Sequence, residues 1–352
     1  MKRGRIALGL GVSLFFVYLT LYAPDIGNLL HGRCSLSAAL FGHPRLDFSQ
    51  VWRSISGVRL LPLLLAFLIN PLHLYIRGHR WSVLVQPSGR LRAIDSFGFH
   101  LIGYLANAVL PLKAGEIARI MLLAERLKIS RSTALATVIL ERMVDLLSLL
   151  FILGLVYFIF PIPQRFTEAA LVVGIFSTIA FAILAYFGIA RKPFSGWLGR
   201  LFGRKLFGRR LRRFLTRFIE GFAALRSTHH LGIVLFETIG LYILYTMQMY
   251  LMLLSFNFTS EYPLIVISPI VASIVLLVID SIAIAVPSAP SAVGTFHAIA
   301  IFGLSLFDVP TDPAAGFVIV QHALGVVFSL VFGLAAMWRE GVKISELKNL
   351  PQ

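Results

Sequence analysis

Residues 262–286 read YPLIVISPIVASIVLLVIDSIAIAV, an apolar stretch with a single charged side chain, Asp280. A helix needs about 20 apolar residues to cross a hydrocarbon core roughly 30 Å thick, so this stretch is long enough to span a bilayer. Comparable apolar blocks occur at 6–22, 60–76, 133–160, 169–190, 231–256 and 314–337. The sequence therefore predicts an all-α polytopic membrane protein with about seven transmembrane helices.

The composition supports the same class. The chain has 352 residues, of which 58% are hydrophobic and 14% charged, whereas soluble domains carry roughly 25% charged residues. We predict one transmembrane domain over 1–352. The first block follows a basic start but lacks a small-residue cleavage site, so it is expected to be a retained span. The polar segment 24–59 is predicted to be an external loop with room for short interfacial helices.

The basic residues predict the orientation, because short cytoplasmic loops carry the excess of Lys and Arg. Basic segments are the N-terminus, 77–92, 113–131, 191–226 and the tail from 339. We expect all of them, and therefore both termini, to be cytoplasmic. The nearly uncharged turns 161–167 and 257–261 fall on the opposite side.

The longest basic segment accounts for much of the net charge of +16. Within the predicted cytoplasmic loop 191–230, residues 191–226 contain eleven Lys or Arg and one acid, Glu220. Apolar residues recur there at helical spacing from Leu211 to Leu225, with arginines between them. This pattern predicts a basic amphipathic helix on an anionic leaflet. Nucleic-acid binding is not expected, because no groove-reading or base-stacking motif accompanies the charge.

Several chemistries are not expected from this sequence. Cys34 is the only cysteine, which excludes an intrachain disulfide and a thiolate metal site. The sequence has no phosphate-binding loop of the G-x-x-x-x-G-K-[ST] type. We therefore expect no cofactor, no bound metal and no catalytic residues, and any energy for transport must come from a gradient or a partner.

The first break in an apolar segment reads NAVLPLKAGEIAR at 107–119. Pro111 cannot continue a helix and Gly115 permits unusual backbone, so a second short helix is predicted to open near Glu116. Non-helical backbone at membrane depth is tolerated only inside protein or beside water. The free N–H groups of the new helix could bind an anion, with Lys113 and Arg119 beside them.

The second break reads AVPSAPSAVGTFH at 285–297. Pro287, Pro290 and Gly294 interrupt an apolar segment, and His297 follows as the next helix starts. Two interrupted segments in corresponding places of two halves point to a transporter's binding site and fit an inverted repeat. Chance similarity between two Pro/Gly breaks is the alternative.

Ionisable residues inside apolar spans also indicate a functional site, because burying a charge in a bilayer costs free energy. Glu141 and Asp145 lie four residues apart on one helix face and need a cation, which Arg119, Arg126 or Arg142 could supply. An ion-pair lock near the inner interface and a role in substrate or proton handling are both open for this group. Asp280, seven residues before Pro287, favours a functional role.

The same stretches resemble the flippase-like transmembrane domain of lysylphosphatidylglycerol synthases. The resemblance rests on LPLKAGE at 110–116, IARIMLLA at 117–124, ALATVILERMVD at 134–145 and Pro287-x-x-Pro290-x-x-x-Gly294-Thr-Phe-His297. It extends from about Arg59 to Arg339.

The resemblance implies transmembrane helices with re-entrant elements and movement of polar lipids between leaflets of a bacterial-type inner membrane. The family's soluble aminoacyl-transferase domain has no counterpart after Met337, so the chain is not expected to aminoacylate lipids. The second signature usually has Gly-Gly before its last Gly and Glu at the position of His297, and these departures bear on the substrate. The site residues that the resemblance and the spans assign to substrate binding are Lys113, Gly115, Glu116, Arg119, Glu141, Arg142, Asp145, Asp280, Pro287, Gly294 and His297.

The sequence thus predicts a lipid flippase for a phospholipid, an aminoacyl-lipid or a polyprenyl-linked lipid. Its partners are membrane lipids, with a lipid synthase or glycosyltransferase as a further partner. Two alternatives belong to other classes: a membrane-embedded transferase with a lipid-linked donor, and a scaffold that docks a lipid synthase without transport.

Overall fold

The computed structural model describes residues 46–110, 113–158, 164–189, 206–285 and 289–342, together with 11, 14–18, 20–22 and 35 near the N-terminus. For 164–173, 187–189 and 206–212 it describes the backbone only. Among these residues every regular element is helical. Of the first predicted span, residues 11, 14–18, 20 and 21 are helical.

The first structural half comprises the described helices between residues 48 and 157. A short helix, α1 (Phe48–Ser56), begins at Asp47, whose side chain accepts a hydrogen bond from the Ser49 N–H. The long helices and the broken segment follow as α2 (Leu60–Val85), α3 (Ala93–Val109), α4 (Ala114–Leu127) and α5 (Arg131–Tyr157). Ser130 caps α5 through a hydrogen bond from the Thr133 N–H, a local signal that sets the start of this helix.

The second half repeats this plan after two intervening helices, α6 (Gln164–Ile189) and α7 (Leu206–Glu220). It contains α8 (Thr228–Ser255), the short α9 (Phe258–Glu261) and α10 (Pro263–Ile267), then α11 (Pro269–Ala285), α12 (Thr295–Ser305) and α13 (Thr311–Glu340). Both halves therefore place a 17-residue helix, a break, a short helix and a long helix in the same order.

The two broken segments form hairpins that open toward opposite ends of the bundle. Asp95 at the start of α3 and Arg126 near the end of α4 both pair with the last turn of α13, through Arg339 and Glu340. We call this the basic end. In the α11–α12 hairpin the two helices approach closely at Gly303, which lies against Leu276 and Ile279 of α11.

The opposite end is called the Asp312 end. There the Asp47 N–H donates to Asp312 at 2.9 Å and the Arg59 N–H donates to the Ser255 carbonyl at 2.8 Å. Helix α2 therefore starts where α8 ends, and these two equivalent helices pack along each other. In addition, α3 packs on α13 and α11 packs on α5, so each half contributes its 17-residue helix to the other half.

Three of the described helices are long and apolar enough to cross a membrane: residues 60–88, 228–255 and 311–340. At 1.5 Å per residue α4 is about 21 Å long and α12 about 17 Å, shorter than a hydrocarbon core of roughly 30 Å. Large apolar side chains, including Leu61, Phe236 and Val331, are exposed on the long helices, as expected for a protein solvated by lipid. The all-α polytopic membrane fold is confirmed.

The structure corrects two of the predicted spans. The second span does not end at Ile76: α2 continues to Val85, so Arg77 and Arg80 are buried in a helix and not in a cytoplasmic loop. The block 262–286 is not one helix, because Ser268 separates α10 from α11.

The basic amphipathic segment differs from the prediction in what covers its apolar residues. Helix α7 packs on α5, and Ile219, Phe222 and Leu225 are buried in the protein. Phe214 is 43% exposed. The protein therefore covers part of the stripe that the sequence assigned to an anionic leaflet, and docking of the remainder on lipid stays a prediction.

Candidate functional site

A buried cluster of opposite charges lies between α2, α4 and α5. We call it the arginine–carboxylate cluster. Its cations are Arg77 and Arg80 of α2, Arg119 of α4 and Arg142 of α5; its anions are Glu116 of α4 and Glu141 and Asp145 of α5.

Glu141 is the centre of this cluster. Its side chain is fully buried and accepts hydrogen bonds from Arg77 Nε at 2.8 Å and from Arg119. Arg142 approaches the same carboxylate at 3.4 Å, and so does Nε2 of His100. Since an isolated carboxylate cannot be buried without large cost, these cations are what allow Glu141 to lie at this depth.

Asp145 lies one helical turn after Glu141 and ties the cluster to α8. It accepts hydrogen bonds from Arg77 at 2.6 Å and from Arg80. Arg80 also donates to the Thr238 hydroxyl at 2.9 Å, and the Tyr242 hydroxyl donates to the Asp145 carbonyl at 2.8 Å. The two helices that face each other across the halves, α2 and α8, are thus joined through polar contacts at α5.

The cluster carries an excess of positive charge and opens on one side. Four arginines face three carboxylates, which leaves one positive charge uncompensated. Arg142 is 40% exposed and Glu116 is 30% exposed, whereas Arg80 and Arg119 are buried. In the described part of the protein, the Nε atoms of Arg80 and Arg119 have no hydrogen-bond partner. An anion that approaches Arg142 would complete the charge balance.

The first break lies next to the open side. Lys113 has a left-handed backbone (φ 56°) and precedes α4. Gly115 packs so tightly on α3 that a Cβ there would lie 2.0 Å from the Gly103 carbonyl oxygen, and its N–H donates to the Asn107 side chain at 2.8 Å. Glycine is therefore required at 115 for close approach of the two backbones. Pro111 lies outside the described residues.

The second break has its own polar group. Gly294 precedes α12 with φ 84°, and its N–H lies 3.4 Å from Nδ1 of His297. The imidazoles of His297 and His322 have their centroids 4.8 Å apart. Nε2 of His322 lies 2.8 Å from the Ser291 carbonyl oxygen. Pro287, a predicted site residue, lies outside the described residues.

The two breaks contact each other. Lys113 Nζ donates to the carbonyl oxygen of Ala285, the last residue of α11, at 2.9 Å. The turn Pro290–Ala292 also packs against α3. Lys113 therefore does not join the arginine–carboxylate cluster by direct contact, but it holds the tip of one hairpin to the tip of the other.

Equivalent positions in the two halves carry different chemistry. Glu116 is the third residue of α4 and His297 is the third residue of α12. Each contacts the twelfth residue of the long helix that follows: Arg142 at 3.5 Å in the first half and His322 in the second. Residue eleven is Glu141 in α5 and Gln321 in α13. The contacts repeat while the charges do not, which supports the predicted internal repeat.

Asp280 is buried apart from the arginine–carboxylate cluster. Its side chain accepts one hydrogen bond, from Gln321 Nε2 at 2.7 Å. Among the residues described, no group of three His, Cys, Asp or Glu side chains could hold a metal ion.

Sequence reasoning found part of this site. Of the three cations proposed for Glu141 and Asp145, Arg119 and Arg142 are correct, while Arg126 pairs with Glu340 instead. Arg77 and Arg80, the closest partners of Asp145, were assigned to a loop. Their spacing of three residues, which puts both on one helix face, was the signal available.

The fold and these contacts define a polytopic α-helical membrane protein with a buried charged cluster between two broken segments. A family model described as the lysylphosphatidylglycerol synthase TM region matches residues 6–333. The chain belongs to that family, whose role is related to membrane lipids. No curated protein and no solved structure matches the chain.

Proposed function

We propose that this protein is a flippase that moves a lipid with a polar, anionic head group between the two leaflets of a bacterial-type inner membrane. The observation that carries the proposal is the arginine–carboxylate cluster. It is buried, carries one excess positive charge, and opens at Arg142 beside the tips of two broken hairpins. A phosphate bound by arginine gains charge-assisted hydrogen bonds that a neutral head group cannot make.

The outer surface supports a lipid substrate over a water-soluble one. Exposed apolar side chains extend along the long helices from Leu60 through Leu72 on α2 and from Leu235 through Met247 on α8. Acyl or prenyl chains can remain in the bilayer against this surface while the head group enters the cluster. Only the polar part of the substrate then needs a path through the protein.

The hairpins suggest how access could alternate. With the basic end at the cytoplasm, as the distribution of Lys and Arg favours, α3 and α4 form a re-entrant hairpin from the inside. Helices α11 and α12 form the inverted hairpin from the outside. Because their tips touch at Lys113 and Ala285, rocking of one half against the other would open the cluster to either side.

The proposal is tested with purified protein in phosphatidylcholine vesicles that contain a trace of fluorescent phosphatidylglycerol. Bleaching of the outer leaflet reports exchange. Arg142→Gln should slow exchange about tenfold or more, because a hydrogen bond to a charged group contributes roughly 1.5–3 kcal/mol. The control is Arg53→Gln, an exposed arginine on α1, which should exchange at the wild-type rate. Equal rates for folded Arg142→Gln and wild type would refute the role of the cluster.

Arg119→Ala tests a buried member of the same cluster. Arg119 is held by Glu116 and Glu141 and lies over the Trp81 ring at 4.2 Å. Loss of exchange is expected here as well, and size-exclusion profiles show whether this variant is folded.

A further inference from the structure

The second half of the protein has a buried acid that forms no ion pair with the described residues. Asp280 is 7% exposed and has Gln321 as its hydrogen-bond partner. The sequence has no Lys or Arg from Ser227 to Trp338. A buried carboxylate costs several kcal/mol unless a cation compensates it. The charge of Asp280 is therefore not fixed by an ion pair, unlike that of Glu141.

Lys113 reaches the end of α11, where it donates to the Ala285 carbonyl oxygen at 2.9 Å. Among the described residues, the helices packed against α11 form no ion pair with Asp280. They are α5, α8, α10 and α12, with Gln321 reaching in from α13. Helix α10 has no ionisable residue, and the only one on α12 is His297. On α5, the cation at the position equivalent to His322 is Arg142. It is held by Glu116, Glu141 and Asp145. Helix α8 carries His229 and His230 in its first turn, Glu237, which pairs with His79, and the tyrosines Tyr242, Tyr245 and Tyr250.

The amide of Gln321 could also accept a hydrogen bond from a protonated Asp280. Its Nε2 donates to Asp280, while its Oε1 is buried and has no hydrogen-bond partner among the described residues. A half-turn of the amide would bring Oε1 to the carboxyl. Only a protonated Asp280 could donate to that oxygen.

Two imidazoles, those of His297 and His322, lie at the second break, and His322 directly follows Gln321 in the chain. His297 accepts the Gly294 N–H at Nδ1, which it can do only while Nδ1 carries no proton. His322 faces the Ser291 carbonyl through Nε2, so that nitrogen must carry its proton. A proton added to Nδ1 of His297 would remove the contact with Gly294 and place a charge near His322. Proton uptake there changes the backbone contacts of the break.

We propose that Asp280, His297 and His322 form a proton-binding site, and that proton movement through it drives the lipid step. This inference rests on the proposed flippase function and adds its energy source. The first half uses fixed charges to hold an anion. At the equivalent positions the second half has two imidazoles and the amide of Gln321, which donates a hydrogen bond to Asp280. Imidazoles and carboxyls can take up and release a proton, whereas an arginine stays charged.

The test uses the same vesicles with a pH-sensitive dye inside and an imposed gradient of one pH unit. Each coupled proton can support up to a tenfold change in the ratio of lipid between leaflets, since one pH unit is a factor of ten in proton activity. Wild type should shift the leaflet ratio in a direction that reverses with the gradient, and the dye should report proton flux at the same time.

Asp280→Asn keeps the shape of the side chain and should abolish the shift, leaving a ratio within twofold of that without a gradient. Asp308→Asn makes the same chemical change at an exposed residue and should behave like wild type. If Asp280→Asn fails to fold, His297→Gln replaces it with the same expected loss. Lipid exchange in wild type that ignores the gradient and moves no protons would overturn the coupling but leave the flippase intact. Absence of any lipid exchange would overturn the flippase function and the coupling with it.

Discussion

Replacement of Glu141 by glutamine should strongly destabilise this protein. The side chain is fully buried and contacts Arg77, Arg119, Arg142 and His100. Glutamine keeps the size but removes the charge, so the excess positive charge of the cluster rises from one to two. Removing one partner of a buried ion pair costs about 3–5 kcal/mol. That is a large fraction of a typical unfolding free energy of roughly 5–15 kcal/mol.

The measurement is equilibrium unfolding in mixed micelles with increasing SDS, for wild type and variant. Glu125→Gln makes the same change at an exposed position on α4 and should alter stability by less than about 0.5 kcal/mol. Combining Glu141→Gln with Arg119→Gln should recover part of the loss, giving a coupling energy above about 1 kcal/mol. A Glu141→Gln variant within 1 kcal/mol of wild type would show that the cluster does not depend on this carboxylate.

Two further predictions concern the breaks and the outer helix. Gly115→Ala should destabilise the α3–α4 hairpin, because the added Cβ would meet the Gly103 carbonyl oxygen at 2.0 Å. In the control Gly154→Ala, the added Cβ meets nothing within 4 Å. The control should therefore be neutral or stabilising when both variants are heated in detergent. The hydrogen bonds that Ser49 donates hold the pKa of Asp47 below its usual value. Their contribution to α1 is therefore complete above about pH 4 and is lost as the pH falls through the folded pKa. Lower amide protection factors in α1 at pH 3 than at pH 5, each corrected for the intrinsic exchange rate at that pH, would show this, and equal protection factors would contradict it.

The breaks were predictable because their cause is local. Gly115 and Gly294 sit where helices restart, and both positions need backbone that other residues resist or close approach that a Cβ would block. Pro269 was a comparable local signal inside the block 262–286, and its effect on the preceding turn separates α10 from α11.

The partners of the charges were not predictable in the same way. Hydropathy ends the second span at Ile76, because Arg77 and Arg80 are costly in lipid. The helix continues since both arginines meet acids of α5 that lie 64 to 68 residues further along the chain. A sequence pattern reports which residues need a partner, but the partner is set by how α2, α5 and α8 pack.

The difference between the halves also bears on what can drive transport. A singly charged anionic head group would neutralise the one excess positive charge of the arginine–carboxylate cluster. A neutral loaded site does no work against the membrane potential, which otherwise contributes about 2.3 kcal/mol per elementary charge at 100 mV. On the proposed mechanism the potential therefore acts weakly on the loaded protein. The potential can still act on the return of the empty site, which carries the excess positive charge. A proton bound at Asp280, which has no Lys or Arg in its half of the chain before Trp338, would add a second directional force.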